Sequence, residues 1–219
     1  MEGCSLNIKS LGKIDHFVLI GLILMLSSGT FAAEWRLDLE RGGIKVYTAK
    51  ADGSQKMKFR GETTYKSNIE HLESAFHSIE DIGRWQYPSY DLRIIEETEH
   101  SKLVYMKQRA PNWAFLVKDR DVVLRYLIEK KVDSIRVVLQ SVEDKVEKQK
   151  GLVRLTRFEG EWDIQQVKPD SVKVTYEAFV DPGGALPSKV TNVLVTDTPF
   201  KTLTLLRQYL QEQANNSDS

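Results

Sequence analysis

The chain has 219 residues, 41% of them hydrophobic and 28% charged, and its 31 basic and 31 acidic side chains give a formal net charge of zero. This length is enough for one sizeable core. The balance shows no basic excess of the kind that binds nucleic acid, and a single cysteine, Cys4, excludes a disulfide framework.

Lys9 and Lys13 precede an apolar run from Phe17 to Leu26, followed by Ser27, Ser28, Gly29, Thr30, Phe31 and Ala32. A basic flank, a short apolar core and a small-residue end are the three parts of a secretory signal. The uninterrupted apolar core is about ten residues, short of the ~20 that a spanning helix needs. Residues 1–32 are therefore expected to be a signal peptide cleaved after Ala32, an uncleaved anchor being the other reading. Residues 33–214 would form one exported, periplasmic domain, and 215–219 a disordered polar tail. Cleavage removes Cys4, and with it zinc–thiolate sites and cysteine nucleophiles.

Trp35 to Arg41 reads as a short opening helix ended by Gly42-Gly43. Ile44–Thr48 and Lys56–Lys66 alternate as strands around the turn Ala51-Asp52-Gly53-Ser54. Ser67-Asn68-Ile69-Glu70 is a capping box, and Ile69, Leu72, Ala75, Phe76 and Ile79 place one helix behind it. After Pro88 the pattern changes to period two. Leu92–Glu97, Lys102–Arg109, Asp121–Glu129, Ser134–Val142, Leu152–Gln166 and Val172–Val180 read as strands with short links, an antiparallel meander. Helices bracket these strands rather than alternating with them, which is an α+β pattern.

Val122, Leu124, Tyr126 and Ile128 share one face of their strand, as do Ile135, Val137 and Leu139, and Val174, Tyr176 and Ala178. Ser188 to about Gln213 is a long amphipathic helix carrying Val190, Val193, Leu194, Phe200, Leu203, Leu206 and Leu210. Pro187 suits its first turn, whereas Pro199 lies inside it and predicts a kink or weakened hydrogen bonding near Val195–Thr198. Periodicity assigns all these apolar residues to an interior. It does not distinguish a filled interior from a hollow one.

Three segments carry a family resemblance. The first is Ala110-Pro111-Asn112-Trp113 with Asp119-Arg120-Asp121-Val122-Val123. The second is Val153-Arg154-Leu155 through Phe158, Gly160 and Trp162. The third is Tyr176-Glu177 through Asp181-Pro182-Gly183-Gly184-Ala185-Leu186-Pro187, then Asn192 and Thr202 to Arg207. In this order and spacing they resemble the START lipid-transfer domains of the helix-grip (Bet v 1-like) superfamily, especially their small exported bacterial members. The resemblance spans Trp35 to Leu210. It departs at Ala185, where the family often has an aromatic, and at Ala114-Phe115, where a proline is common. Tyr126 occupies the position of the cavity arginine of sterol-binding members, and Arg125, one residue earlier, should face away.

The resemblance implies a helix-grip fold, a curved antiparallel sheet wrapped around a long C-terminal helix, enclosing a lipid-sized cavity. Val122, Leu124, Tyr126, Val137, Leu139, Tyr176, Val193, Phe200 and Leu203 would line that cavity. Each methylene withdrawn from water is worth ~0.8 kcal/mol, so a lipid carrier needs a dry apolar interior and a lid that opens at a membrane. Trp113, Phe115 and Leu116 are bulky residues in a loop, read either as that gate or as a plug on the core; Gly183 and Gly184 would be the second mobile element. Tyr126, Tyr176, Arg154 and Thr156 are candidate polar contacts. Arg154 would meet a phosphate or carboxylate head, or else lie on the solvated face. Asp119 and Asp121 have acid–base potential, but are read as an ion-pair network centred on Arg120 at a strand start.

Assembled catalytic machinery is not visible. His16 falls in the expected signal, His71 and His77 are six apart rather than four, and His100 stands alone. There is no Gly-x-Ser-x-Gly and no phosphate-binding glycine loop. The expectation is a monomer without cofactor or metal that binds a lipid or other hydrophobic small molecule, touches a membrane transiently and binds no nucleic acid. An envelope interaction module with a filled core and a helix-grip enzyme are the alternatives.

Overall fold

The protein's structure, a computed structural model, describes residues 34–155, 157–184, 186 and 188–217. The expected signal peptide with Cys4 and His16, and also Thr156, Ala185, Pro187 and the last two residues, lie outside the described residues.

The elements run in chain order β1 (Arg36–Arg41), β2 (Ile44–Lys50), β3 (Met57–Tyr65), α1 (Ile69–Ala75), α2 (Ile79–Trp85), β4 (Ser89–Thr98), β5 (Ser101–Gln108), β6 (Arg120–Lys130), β7 (Ser134–Ser141), β8 (Val153–Arg154), β9 (Arg157–Lys168), β10 (Ser171–Asp181) and α3 (Ser188–Ser217). The strands form one curved sheet in the order β1-β2-β3-β10-β9-β7-β6-β5-β4, antiparallel throughout, with β8 pairing parallel to β6 off this path. The long helix α3 packs on β2 and β3 and against α1 and α2. This is the α+β helix-grip arrangement.

Four local readings differ from the sequence expectation. The first is 36–41, a strand and not a helix. Gly42 and Gly43 both have positive φ (58° and 73°), the requirement of a tight hairpin turn, so they fold β1 back on β2 instead of ending a helix. The second is the region after Ser67, which holds two short helices instead of one. Asn68 caps α1 by accepting from the His71 N–H (2.9 Å), and Ser78 caps α2 by accepting from the Asp81 N–H (3.0 Å). Ser78 stops the periodicity of α1 because its side chain competes for the backbone donors of the next turn.

The third difference is in 152–166, where the expected single strand is two. β8 runs beside β6, Leu155 N–H still donates to the Asp121 carbonyl (2.9 Å), and from Arg157 the chain pairs with β10 and then also β7. A change of partner leaves the in–out alternation untouched, so period two does not see it. The fourth is the end of α3, which runs through Pro199 and on to Ser217, past the point where a disordered tail was expected to begin. Pro199 supplies no N–H, so the carbonyl of Val195 has no helical donor.

The faces read from alternation are the faces observed. Val122, Leu124, Tyr126, Ile135, Val137, Leu139, Val174, Tyr176 and Ala178 all belong to one buried cluster with the underside of α3. Its centre is aromatic: Trp162 stacks on Tyr176 at 3.9 Å between centroids, and Trp85 meets Trp162 edge-on at 5.4 Å. Such contacts add about 0.5–1.5 kcal/mol each beyond burial. The Tyr65 hydroxyl donates to the Leu203 carbonyl (2.7 Å) and the Tyr209 hydroxyl to Asp81 Oδ1 (2.9 Å), fastening the C-terminal half of α3 to β3 and α2.

A candidate ligand cavity

Beneath the N-terminal half of α3 the packing opens into a cavity of about 180 Å³. Val190, Leu194, Val195 and Thr198 form its roof; Phe59, Phe158, Tyr176 and Val180 form its floor. Gln86 to Pro88, Arg109 to Pro111 and the turn after β10 close its sides. A second hollow of about 470 Å³ lies against the first, sharing Gln86, Tyr87, Pro88, Arg109, Leu194 and Thr198 among its walls. The second is more polar, with Arg84, Asn112, Asp197 and Lys201 in its lining, and it includes Trp113 and Val193.

The expected lining residues divide. Tyr176 is in the wall of the first cavity and Val193 in the wall of the second. Val122, Leu124, Tyr126, Val137, Leu139 and Leu203 are almost fully buried in the solid core, and Phe200 packs against that core with Arg41 over its ring at 4.3 Å. These seven are corrected from cavity wall to core. They share the inward face with the true lining, but lie further along the strands, where α3 sits close to the sheet.

The two loops are pinned at their bases. Asp119 Oδ1 accepts from the Ala110 N–H (2.9 Å) and its Oδ2 from the Tyr90 hydroxyl (2.7 Å), which joins the start and the end of the 109–119 loop. That bond to Asp119, with burial second, pushes the Tyr90 phenol up to about 12, so it remains a donor at neutral pH. Inside the loop Ala114 N–H donates to the Pro111 carbonyl and Val117 N–H to the Ala114 carbonyl, both at 2.8 Å. Trp113, Phe115 and Leu116 project from this frame at 49%, 86% and 85% exposure. That exposure rules out Phe115 and Leu116 as a plug on the core. On the other loop, Gly183 and Gly184 both have φ of 63°, and Gly184 lines the first cavity while Gly183 packs beside Val153. Asp181 Oδ1 accepts from the Gly183 N–H (3.0 Å) and from Lys56 Nζ (2.5 Å).

The charged residues at the start of β6 are arranged differently from expectation. Arg154 makes a double contact to Asp121, Nε to Oδ1 at 3.0 Å and Nη2 to Oδ2 at 2.9 Å, with the Tyr105 hydroxyl donating to the same carboxylate (3.2 Å). Both partners are nearly sealed from solvent on the face of the sheet opposite the cavity, so Arg154 is neither a ligand contact nor solvated. Arg120 forms no ion pair with Asp119 or Asp121. It points with Val122 and Leu124 to the inside, lines the cavity, and donates to the Lys118 carbonyl and, at 3.4 Å, to the Pro182 carbonyl. Burial pulls its guanidinium below its ordinary value.

Gln86 is a polar lining residue that the sequence reading passed over, and Arg120 one that it assigned to an ion-pair network. For Arg120 the signal was present: it has the parity of the inward face. Gln86, whose Oε1 is buried without a partner, follows a helix end and carries no such signal. Two more orphaned atoms, Tyr126 Oη and Trp162 Nε1, lie in the core around Tyr176. Among the described residues no cluster of three His, Cys, Asp or Glu could hold a metal ion.

Residues 30–216 match the family model of the START domain. An uncharacterized protein of Pseudomonas aeruginosa is 27% identical over 203 residues, 92% of this chain and 99% of that one. Human START domain-containing protein 10 is 30% identical over 168 residues, 72% of this chain and 55% of that protein. Among solved structures, a STAR-related lipid transfer protein from Xanthomonas axonopodis superimposes with a TM-score of 0.72 at 32% identity, covering 81% of this chain and 98% of that fragment.

Proposed function

This chain belongs to the START domain family, a family that binds and transfers lipids, and from that premise we propose that it carries one lipid in the cavity under the N-terminal half of α3. The observation that carries the proposal is the position of the void. It lies where two glycines at positive φ, the Pro182 turn and the 109–119 loop meet the helix, so the roof can lift without disturbing the aromatic core.

The volume sets a condition. About 180 Å³ is below the 300–1,000 Å³ of ordinary ligand sites. Loading therefore merges the two hollows by moving the partition they share, Leu194 and Tyr87 foremost. An acyl chain then replaces water contact with apolar wall at ~0.8 kcal/mol per methylene. Phe115 and Leu116, exposed at the tip of the loop beside the second hollow, enter the bilayer surface while the roof is open, and Trp113 sits at headgroup level. Transfer is a binding cycle without turnover. Export as a cleaved, periplasmic protein belongs to the same reading and is supported by the pattern of residues 1–32.

The test is solvent extraction of the purified protein with mass spectrometry of the extract, beside a Val195→Trp variant that fills the roof. Stoichiometric lipid from the wild type and none from the folded variant is the expected pair. No lipid from either, and no displacement of a fluorescent fatty acid by any lipid, would leave an envelope interaction module as the better reading. Release of a hydrolysed lipid would make it an enzyme.

A further inference from the structure

We propose that the lipid carried here has an anionic head, a carboxylate or a phosphate, and that Arg120 is the residue that receives it; this rests on the lipid-binding reading above.

Arg36, Arg60, Arg84, Arg136, Arg154 and Arg157 each meet a carboxylate. Those are mostly on the surface, where a partner contributes little. Arg120 is 9% exposed, and among the described residues no carboxylate comes within ion-pair distance of it. A guanidinium does not lose its proton in a protein, so the charge stays; two carbonyls are its only hydrogen-bond partners, and Asp119 acts on it from beyond contact distance. A buried charge with no counter-ion in contact is costly. Its immediate neighbour on the strand shows the ordinary solution, since Asp121 is closed on the other face by Arg154. The cavity face has been left without such a closure.

The rest of the wall is mostly of the same sign. Lys56, Arg109 and Arg120 line the first cavity with no Asp or Glu among the described residues, and in the second hollow Arg84 and Lys201 outnumber Asp197. Lys56 is already bound to Asp181, and Arg109 lies over the Tyr90 ring at 4.2 Å. Arg109 is exposed to solvent, so Arg120 is the buried cation with donors to spare: a guanidinium has five N–H groups, arranged in a fork that fits two oxygens of one acid group. Gln86 Oε1, in the same wall and without a donor, suits a hydroxyl next to the acid group or a water. The Pro182 carbonyl that Arg120 now bonds is in the turn that must move on loading, so an arriving anion takes over donors that opening sets free.

The experiment uses the delipidated full domain and displacement of a fluorescent fatty-acid probe. Oleate is compared with methyl oleate, and dioleoyl phosphatidic acid with dioleoylglycerol, so that chains are equal and only the head changes. The acid is expected to bind at least about tenfold tighter than its neutral partner, the ratio expected from one charged hydrogen-bond pair. Arg120→Gln should bring that ratio close to one while the neutral lipids bind as before, and Arg120→Lys should keep part of it. Inorganic phosphate at millimolar concentration should not displace the probe. Displacement by phosphate with the same dependence on Arg120 would make the ligand a free anion and overturn the proposal. An unchanged acid-to-neutral ratio in Arg120→Gln, or in Arg120→Ala if the first variant does not fold, overturns it too and reduces Arg120 to a clamp on the Pro182 turn. Equal binding of both classes by the wild type defeats this inference alone, whereas binding of neither defeats the lipid-carrier reading beneath it.

Discussion

The two halves of α3 meet the same sheet in opposite ways. Its C-terminal half presents Leu203, Leu206, Tyr209 and Leu210, none more than 3% exposed, to a solid interior. The backbone of β3 approaches so closely at Gly61 that a Cβ there would lie 2.6 Å from Leu203 Cδ1. Its N-terminal half presents Leu194, Val195 and Thr198, all half-buried, to a void. Apolar composition is similar in both halves. The distance between helix and sheet differs, set by a glycine and a tyrosine–carbonyl bond at one end and by loops at the other. The grip thus separates its tasks: one end supplies stability and the other leaves room.

The comparison breaks most visibly by truncating equivalent leucines. Leu206→Ala opens a cavity in the solid half and is expected to cost ~2–5 kcal/mol in urea unfolding. Leu194→Ala enlarges a void that already exists and should cost under ~1 kcal/mol, while weakening lipid binding. Equal costs would mean that the N-terminal half is as tightly packed as the other. Next in size is Gly61→Ala, where the new methyl must push Leu203 aside. A loss of ~1–3 kcal/mol is expected, with lipid affinity unchanged, because the strain falls in the anchored half. Loss of lipid affinity from this variant would show that the halves are coupled.

Much of this architecture was legible before the structure. Alternation placed Val122, Tyr126, Val137 and Tyr176 on the inside, and the Pro-Gly-Gly turn before a long helix identified the grip. Three kinds of information were not. Hairpin and helix compete for Leu37 to Arg41, and the Gly42–Gly43 turn decided it through pairing with β2, a tertiary fact. The switch at Leu155 keeps its period while changing its partner. The boundary between core and void is a matter of distance, which apolar identity does not encode. So Leu124 and Leu203 were read as lining although they are core, while Leu194, Leu155 and Phe158 line the cavity. Arg120 was read through its acidic neighbours in sequence, yet neighbours on a strand face opposite sides.

A smaller effect sharpens the comparison at the loop. Phe115→Ser combined with Leu116→Ser alters residues that touch almost nothing, so stability should move by less than ~0.5 kcal/mol. Lipid exchange with vesicles, followed by fluorescence transfer, should slow several-fold while affinity in solution holds. Unchanged exchange would remove the loop tip from the membrane step.

The smallest expected effect concerns the tie that holds the turn shut over the hollow half. The hydrogen bond from Lys56, and after it that from the Gly183 N–H, hold the Asp181 carboxyl below its ordinary value of 3.8. A carboxyl lowered by folding adds stability while it is ionised, so its contribution is complete above pH 3.8 and is lost as the pH falls through its lower folded value. Both partners are partly exposed, Lys56 at 47% and Asp181 at 30%, so solvent screens the pair and global stability should scarcely change. The turn itself should respond. From pH 7 to 5 lipid release is expected to be flat, and below 3.8 it should quicken in the wild type as the tie opens. Asp181→Asn removes the charge at every pH, so its release should be faster at neutrality and lack that acid step. The same acid step in both proteins would place the titrating group elsewhere and leave the turn closed by packing alone.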